Sequence, residues 1–175
     1  MASQLLIRAA SQADVTAIAR LHVRAWQTAY RGHMPEHFLA SLDAGARAQM
    51  WSQALVNPDC LVLVAESATE IVGFCSLISS RDADADPTCG ELAAIYVDPA
   101  RVRSGIGSLL VEHAVAAAQS RGFSRLSLWV LRDNAVALAF YRACGFSFDG
   151  ASKTQPISSF EVEELRLQRS LIAMP

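Results

Sequence analysis

Long apolar runs, clustered cysteines and a surplus of either charge are all missing from this 175-residue chain. No apolar stretch approaches the ~20 residues needed to cross a bilayer as a helix, so no membrane segment is expected. The stretch Met1–Arg8 lacks the basic segment and apolar core of a signal peptide. The four cysteines, Cys60, Cys75, Cys89 and Cys144, are far apart and form no Cys-x-x-Cys pair. That spacing excludes a metal-ligand set, and a chain that is 52% hydrophobic does not need a disulfide framework. Reduced cysteines in a cytoplasmic protein follow. The formal net charge of −2 offers no general attraction to nucleic acid or anionic lipid, and no basic stripe is present. Any anion site must therefore be local. Gly-Lys-Ser/Thr is absent, which excludes a P-loop, and so is the full Gly-x-Gly-x-x-Gly dinucleotide fingerprint. Repeats, low-complexity tracts and linkers are lacking too, so residues 1–175 are expected to form one domain.

The hydrophobic periods predict a mixed α/β chain. Gln4–Arg8 reads as a strand, and Ser11 with Asp14 as a capping box opening a helix that runs to about Tyr30. Short helices are expected over Glu36–Leu42 and Ala44–Leu55. Strands follow at Leu61–Ala65, Ile71–Ile78 and Leu92–Val97, the last two separated by a polar loop, Arg81–Pro87. A helix from Ser104 to Ser120, a strand at Ser124–Leu131, a helix from Asn134 to Cys144, and strands at Phe146–Asp149 and Val162–Leu171 complete the order. This order predicts a sheet covered by helices on both faces.

The stretch Pro99-Ala-Arg-Val-Arg-Ser-Gly-Ile-Gly-Ser-Leu-Leu-Val-Glu-His-Ala114 begins as a polar turn with arginines and glycines and ends as helix. A helix start presents unpaired N–H groups and the positive end of the dipole, and glycines let an anion approach that backbone. Taken alone, the pattern reads equally as an anion site or as a tight turn.

Downstream, Leu126-Ser-Leu-Trp-Val-Leu-Arg-Asp-Asn-Ala-Val-Ala-Leu-Ala-Phe-Tyr-Arg-Ala-Cys-Gly-Phe146 joins a strand ending near an Asn to a helix carrying Phe140-Tyr141. Together with Ile95-Tyr-Val-Asp-Pro99 and the Gly-Ile-Gly turn, this segment resembles the GCN5-related N-acetyltransferases (GNAT). The resemblance extends from Leu6-Ile-Arg8 to Glu164-Leu-Arg-Leu-Gln-Arg169. It implies a mostly antiparallel central sheet of about seven strands whose fourth and fifth strands splay apart. It also implies acetyl-CoA as co-substrate, no metal, and a primary amine of a small molecule or peptide as acceptor. A homodimer is left open.

By the same resemblance, Val102, Arg103, Ser104, Gly105, Ile106, Gly107 and Ser108 cradle the coenzyme's pyrophosphate. Val102 and Arg103 depart from the family's usual polar residue and glycine, and Arg103 can contribute its own guanidinium. Main-chain groups of Ile95 and Val97 would hold the pantetheine arm as an added strand would be held. A backbone N–H near Ile95 would face the thioester oxygen as it gains charge. Asn134 would contact the coenzyme, with an ordinary helix start as its plain alternative. Tyr141 would both contact the coenzyme and donate a proton to the departing thiolate, a role that suits a phenol of pKa ~10.

The position where relatives carry a fifth-strand Glu holds Trp129 here, which leaves Glu91 as the candidate base, acting through water, or else as a plain solvated strand-end charge. For the acceptor, His22, Trp26 and Tyr30 recur four residues apart on one helix face, which reads equally as core. A non-catalytic acyl-CoA-binding module is the alternative to an enzyme. The altered front of the glycine turn and the missing fifth-strand Glu favour the module; Tyr141 and Asn134 favour the enzyme.

Overall fold

The computed structural model describes residues 5–172; Gln4, the expected start of the first strand, lies outside that range. Strands β1 (Leu5–Ala9), β2 (Leu61–Ser67), β3 (Glu70–Ser79), β4 (Cys89–Val97), β5 (Arg125–Leu131), β6 (Ser147–Ile157) and β7 (Phe160–Ser170) form one sheet in the order β1-β2-β3-β4-β5-β7-β6. Every pairing is antiparallel except that of β4 with β5. The helices are α1 (Val15–Ala29), α2 (Glu36–Ala40), α3 (Ala44–Ala54), α4 (Ile106–Ser120) and α5 (Ala135–Ala143). Among the described residues no helix is long and apolar enough to cross a membrane.

Alternation along the strands supplies two cores. Val62, Val64 and Phe74 point to one face, where α1 and α3 bury Ile18, Leu21 and Trp51 against them. Leu63, Cys75 and Leu77 point to the other, where α4 packs Leu110, Val111 and Ala114. Burying each large side chain here contributes about 1.5–3 kcal/mol. Gly73 makes the α4 contact possible, because an added Cβ would stand 3.0 Å from Ile106 and 3.1 Å from Leu110.

Two irregularities shape the middle of the sheet. Ser76 pairs Ala94 whereas Leu77 pairs Leu92, so Ala93 is an extra residue that bends β4. The parallel ladder then stops after Cys89–Arg125, Gly90–Leu126 and Glu91–Ser127. Beyond that point β4 and β5 separate, as the splayed-strand expectation requires. The β5-side edge of β4 is left with unpaired backbone groups.

One expectation is corrected. The sixth strand runs to Ile157, well past the Asp149 end read from the sequence. It is an edge strand, exposed along most of its length and broken by a register shift between Phe148 and Ser152. With neither face buried it carries no period-two apolar signal, and Pro156 is tolerated because an edge needs no donor there.

Candidate active site

A cleft of about 650 Å³ opens along the free edge of β4, between α1 on one side and α4 and α5 on the other. The turn after β4 enters it first. Asp98 accepts from Ala100 N at 2.9 Å and from Arg24 of α1 at 2.7 Å, which fixes the turn against that helix. Two residues of the turn then take left-handed backbone: Arg103 at φ +61° and Gly105 at φ +84°. Alternating left-handed residues turn successive N–H groups toward one point. Among the described residues the N–H groups of Arg103 to Ser108 donate to no backbone carbonyl; the α4 ladder begins with Leu109 bonded to Gly105. Val102, Arg103, Gly105, Ile106, Gly107 and Ser108 line the cleft, while Ser104 does not and turns its hydroxyl to the Arg101 carbonyl.

The glycines here have separate reasons. Space above Gly105 is open, with no atom within 4 Å of where a Cβ would stand, so an anion can reach the helix start. At Gly107 a Cβ would meet the Phe140 ring at 3.1 Å, so glycine lets α4 and α5 close together along the cleft wall. Arg103 explains the family's glycine preference at its position, since it holds a conformation that costs a side chain about 1 kcal/mol. The residues present therefore fit a diphosphate: open backbone donors, a helix N-terminus and no side chain in the way.

At the other wall, Asn134 caps α5 by accepting from Ala137 N at 3.1 Å. The helix-start role is thus its own, not that of Asp133, and Asn134 also lines the cleft. Tyr141 also lines the cleft, and its hydroxyl bonds to none of the described residues. Burial pushes its pKa well up, with smaller contributions from Tyr30, Cys144 and Cys75, so it stays protonated at neutral pH. Its O–H is therefore present in the cleft as a hydrogen-bond donor at neutral pH.

Of the three α1 residues expected to share one face, only Tyr30 reaches the cleft. His22 is buried behind Tyr96, stacked on that ring at 5.1 Å, and its Nδ1 accepts from Trp51 Nε1 at 3.0 Å. Burial, with Arg47 adding to it, lowers its pKa to about 3, so it is neutral with its proton on Nε2. Trp26 packs edge-on against His22 and Tyr30 under the Arg47 guanidinium. Both are core, because a four-residue spacing drifts around the helix and the face they occupy is turned toward the sheet.

Glu91 departs from its expected role in the same way. It is 3% exposed, and it accepts from the Arg81 guanidinium at both oxygens and from Arg81 N at 3.2 Å. With its acceptor sites filled and no place on the cleft wall, it is poorly placed to take a proton from an acceptor.

Sequence reasoning missed Tyr96. Its ring lies on the cleft wall and its hydroxyl meets that of Tyr30 at 3.2 Å. Burial, together with Tyr30 and Tyr141, drives its pKa far up. Three phenols from α1, β4 and α5 therefore gather around one end of the slot. A tyrosine in the apolar run Ile95-Tyr96-Val97 was the available signal, since a buried hydroxyl needs a partner.

Residues 15–146 match the model of the Acetyltransferase (GNAT) family. The chain belongs to that family. A relative named as the uncharacterized N-acetyltransferase YuaI of Bacillus subtilis is 28% identical over 170 residues, which cover 97% of this chain and 92% of that protein. The PaiA N-acetyltransferase of Thermoplasma acidophilum, solved in complex with coenzyme A, superposes with a TM-score of 0.79 at 22% identity, over 95% of this chain and 99% of that one. YncA of Salmonella typhimurium, solved with its cofactor acetyl-CoA, gives 0.75 at 22% identity, over 99% and 97%. These likenesses confirm the GNAT fold, and the family membership makes the chain an acyltransferase.

Proposed function

We propose that this GNAT protein transfers an acetyl group from acetyl-CoA directly to a primary amine. The observation that carries the reading is the continuity of one cleft, from unpaired N–H donors at the start of α4, along the free edge of β4, to the unbonded hydroxyl of Tyr141. The N–H groups of Arg103 to Ser108 would hold the pyrophosphate, and Arg103 would add a charge-assisted contact. The free edge at Ile95 and Val97 would bind the pantetheine arm, and an N–H there would stabilise the oxyanion. Asn134 would contact the arm through the amide NH2 that capping leaves free.

The deprotonated amine attacks the thioester carbon, the C–S bond breaks and the thiolate takes the Tyr141 proton, while the proton shed by the amine nitrogen passes to solvent in the cleft, from which Tyr141 is reprotonated. Because acetyl-CoA and amine meet in one slot, no acyl-enzyme is required and positioning itself lowers the barrier. Cys144 is no nucleophile in this scheme; burial raises its pKa, and it packs at the end of α5.

The test is thiol release from acetyl-CoA with a panel of an alkylamine, a diamine, an aminoglycoside and an alanine-initiated peptide. At least one acceptor should give turnover with an N-acetylated product by mass spectrometry. Tight acetyl-CoA binding with only the hydrolysis rate seen without amine would instead assign the protein as an acyl-CoA-binding module.

A further inference from the structure

Glu164, on β7, carries a carboxylate that the described residues leave incompletely satisfied. Glu164 pairs Leu131 directly from β7, on the face where Leu131 packs with Met34, Leu39 and Tyr30. It therefore lies on the sheet face against which Tyr30 packs. It does not line the wall of the main cleft, but its charge is close enough to Tyr30 to raise that phenol's pKa, after burial.

Its surroundings differ from those of the neighbouring acids. Glu91 is filled by Arg81, and Asp82, Asp84 and Asp149 all bind the Arg166 guanidinium. Glu164 Oε2, in contrast, is buried and accepts no hydrogen bond from any described residue. Lys153, opposite it on β6, pairs with that same oxygen only at 3.7 Å, beyond hydrogen-bond length, its ammonium drawn over the Trp129 ring at 4.0 Å. Buried carboxylate oxygens without a donor are rare in native proteins, and each calls for a donor from water, an ion or a ligand.

We propose that Glu164 anchors an ammonium group of the acceptor other than the amine that attacks, with the Tyr30 and Tyr96 hydroxyls on its other side, so that the enzyme selects a cationic substrate. This rests on the acetyl-transfer reading for the word acceptor, though not for the anchoring itself. The ammonium presents three N–H donors; one would fill Glu164 Oε2 and the phenol oxygens can take the others. The titratable and charged groups near Glu164 are Lys153 on β6, Tyr30 on α1, Glu91 on β4 and Arg81 in the loop before it. Burial raises the Glu164 pKa, Lys153 and Arg81 oppose this, and Glu91 adds to it. A bound cation would draw it back down.

The experiment reads that titration directly. Carboxyl carbon NMR on glutamate-labelled, coenzyme A-saturated protein follows Glu164, its signal assigned by its loss in Glu164→Gln. n-Butylammonium should lower the Glu164 pKa, and the neutral isostere n-butanol should not. An unchanged pKa, or an equal response to both, overturns the anchor, whether or not the protein turns over acetyl-CoA. Kinetics with the best amine add a second reading. Glu164→Gln should lower kcat/KM by roughly tenfold to a hundredfold, the range for a lost charge-assisted hydrogen bond. The loss should fall on the amine KM, leave the acetyl-CoA Kd unchanged, and be partly restored by Glu164→Asp. Equal amine KM values in wild type and Glu164→Gln would also overturn it. Absence of any turnover by wild type would instead count against acetyl transfer, leaving the titration to decide the anchor.

Discussion

Charge placed at Gly105 separates anion binding from backbone strain. Gly105 sits at φ +84°, and an added Cβ meets nothing within 4 Å, so Glu and Lys carry the same conformational cost there, about 1 kcal/mol. Their charges oppose each other. A unit charge about 6 Å from one phosphate charge, at an effective dielectric of about 20, is worth about 2.8 kcal/mol. Exposure and salt reduce this, since the Debye length is about 8 Å at 0.15 M. Gly105→Glu should therefore bind coenzyme A about tenfold to a hundredfold more weakly than Gly105→Lys by titration calorimetry, with the gap narrowing as salt rises. Stability should order the other way. A carboxylate at a helix N-terminus is favourable by about 0.3–1 kcal/mol, so the Glu variant should melt above the Lys variant when no coenzyme is present. Equal coenzyme affinity for the two variants would refute the claim that phosphates lie at the start of α4.

Other outcomes are equally direct. Tyr141→Phe should reduce kcat by about a hundredfold or more while the coenzyme A Kd stays within about twofold, and an unaltered kcat would remove the general-acid role. Stability should fall with acid through His22. The unfolded ring takes a proton near pH 6.5 but the buried ring stays neutral down to about pH 3, so below pH 6.5 the unfolded state binds more protons. About 2 kcal/mol should be lost by pH 5. In His22→Gln, which keeps an acceptor for Trp51 Nε1, denaturant melts should lose that part of the pH dependence. Gly73→Ala should cost about 1–3 kcal/mol, because the methyl meets Ile106 at 3.0 Å, Leu110 at 3.1 Å and the Tyr96 carbonyl at 3.3 Å. A melting temperature equal to wild type would show that α4 shifts freely.

The order of strands and helices could be read from the residues because the central elements are two-sided: β2, β3 and β5 are buried and apolar, and α1 alternates cleanly. The glycine turn stood out as small residues and arginines at a strand–helix junction, a pattern that alone reads equally as an anion site or as a tight turn. What stayed hidden depends on tertiary placement. No glycine or proline marks the Ala93 bulge, which arises where β4 must follow β3 and then leave β5. The left-handed Arg103 reads as an ordinary arginine, although its conformation shows why a glycine suits that position. Spacing placed His22, Trp26 and Tyr30 on one face but could not say that only the last clears the sheet. Glu91 and Glu164 look alike as strand carboxylates, and only the packed structure shows Arg81 closing one and leaving the other open.

A crystal structure with acetyl-CoA tests the account most directly. The expected result places the pyrophosphate oxygens within hydrogen-bonding distance of N–H groups between Arg103 and Ser108, with the thioester sulfur beside the Tyr141 hydroxyl. Phosphates bound away from the start of α4, or a thioester turned from Tyr141, would contradict it.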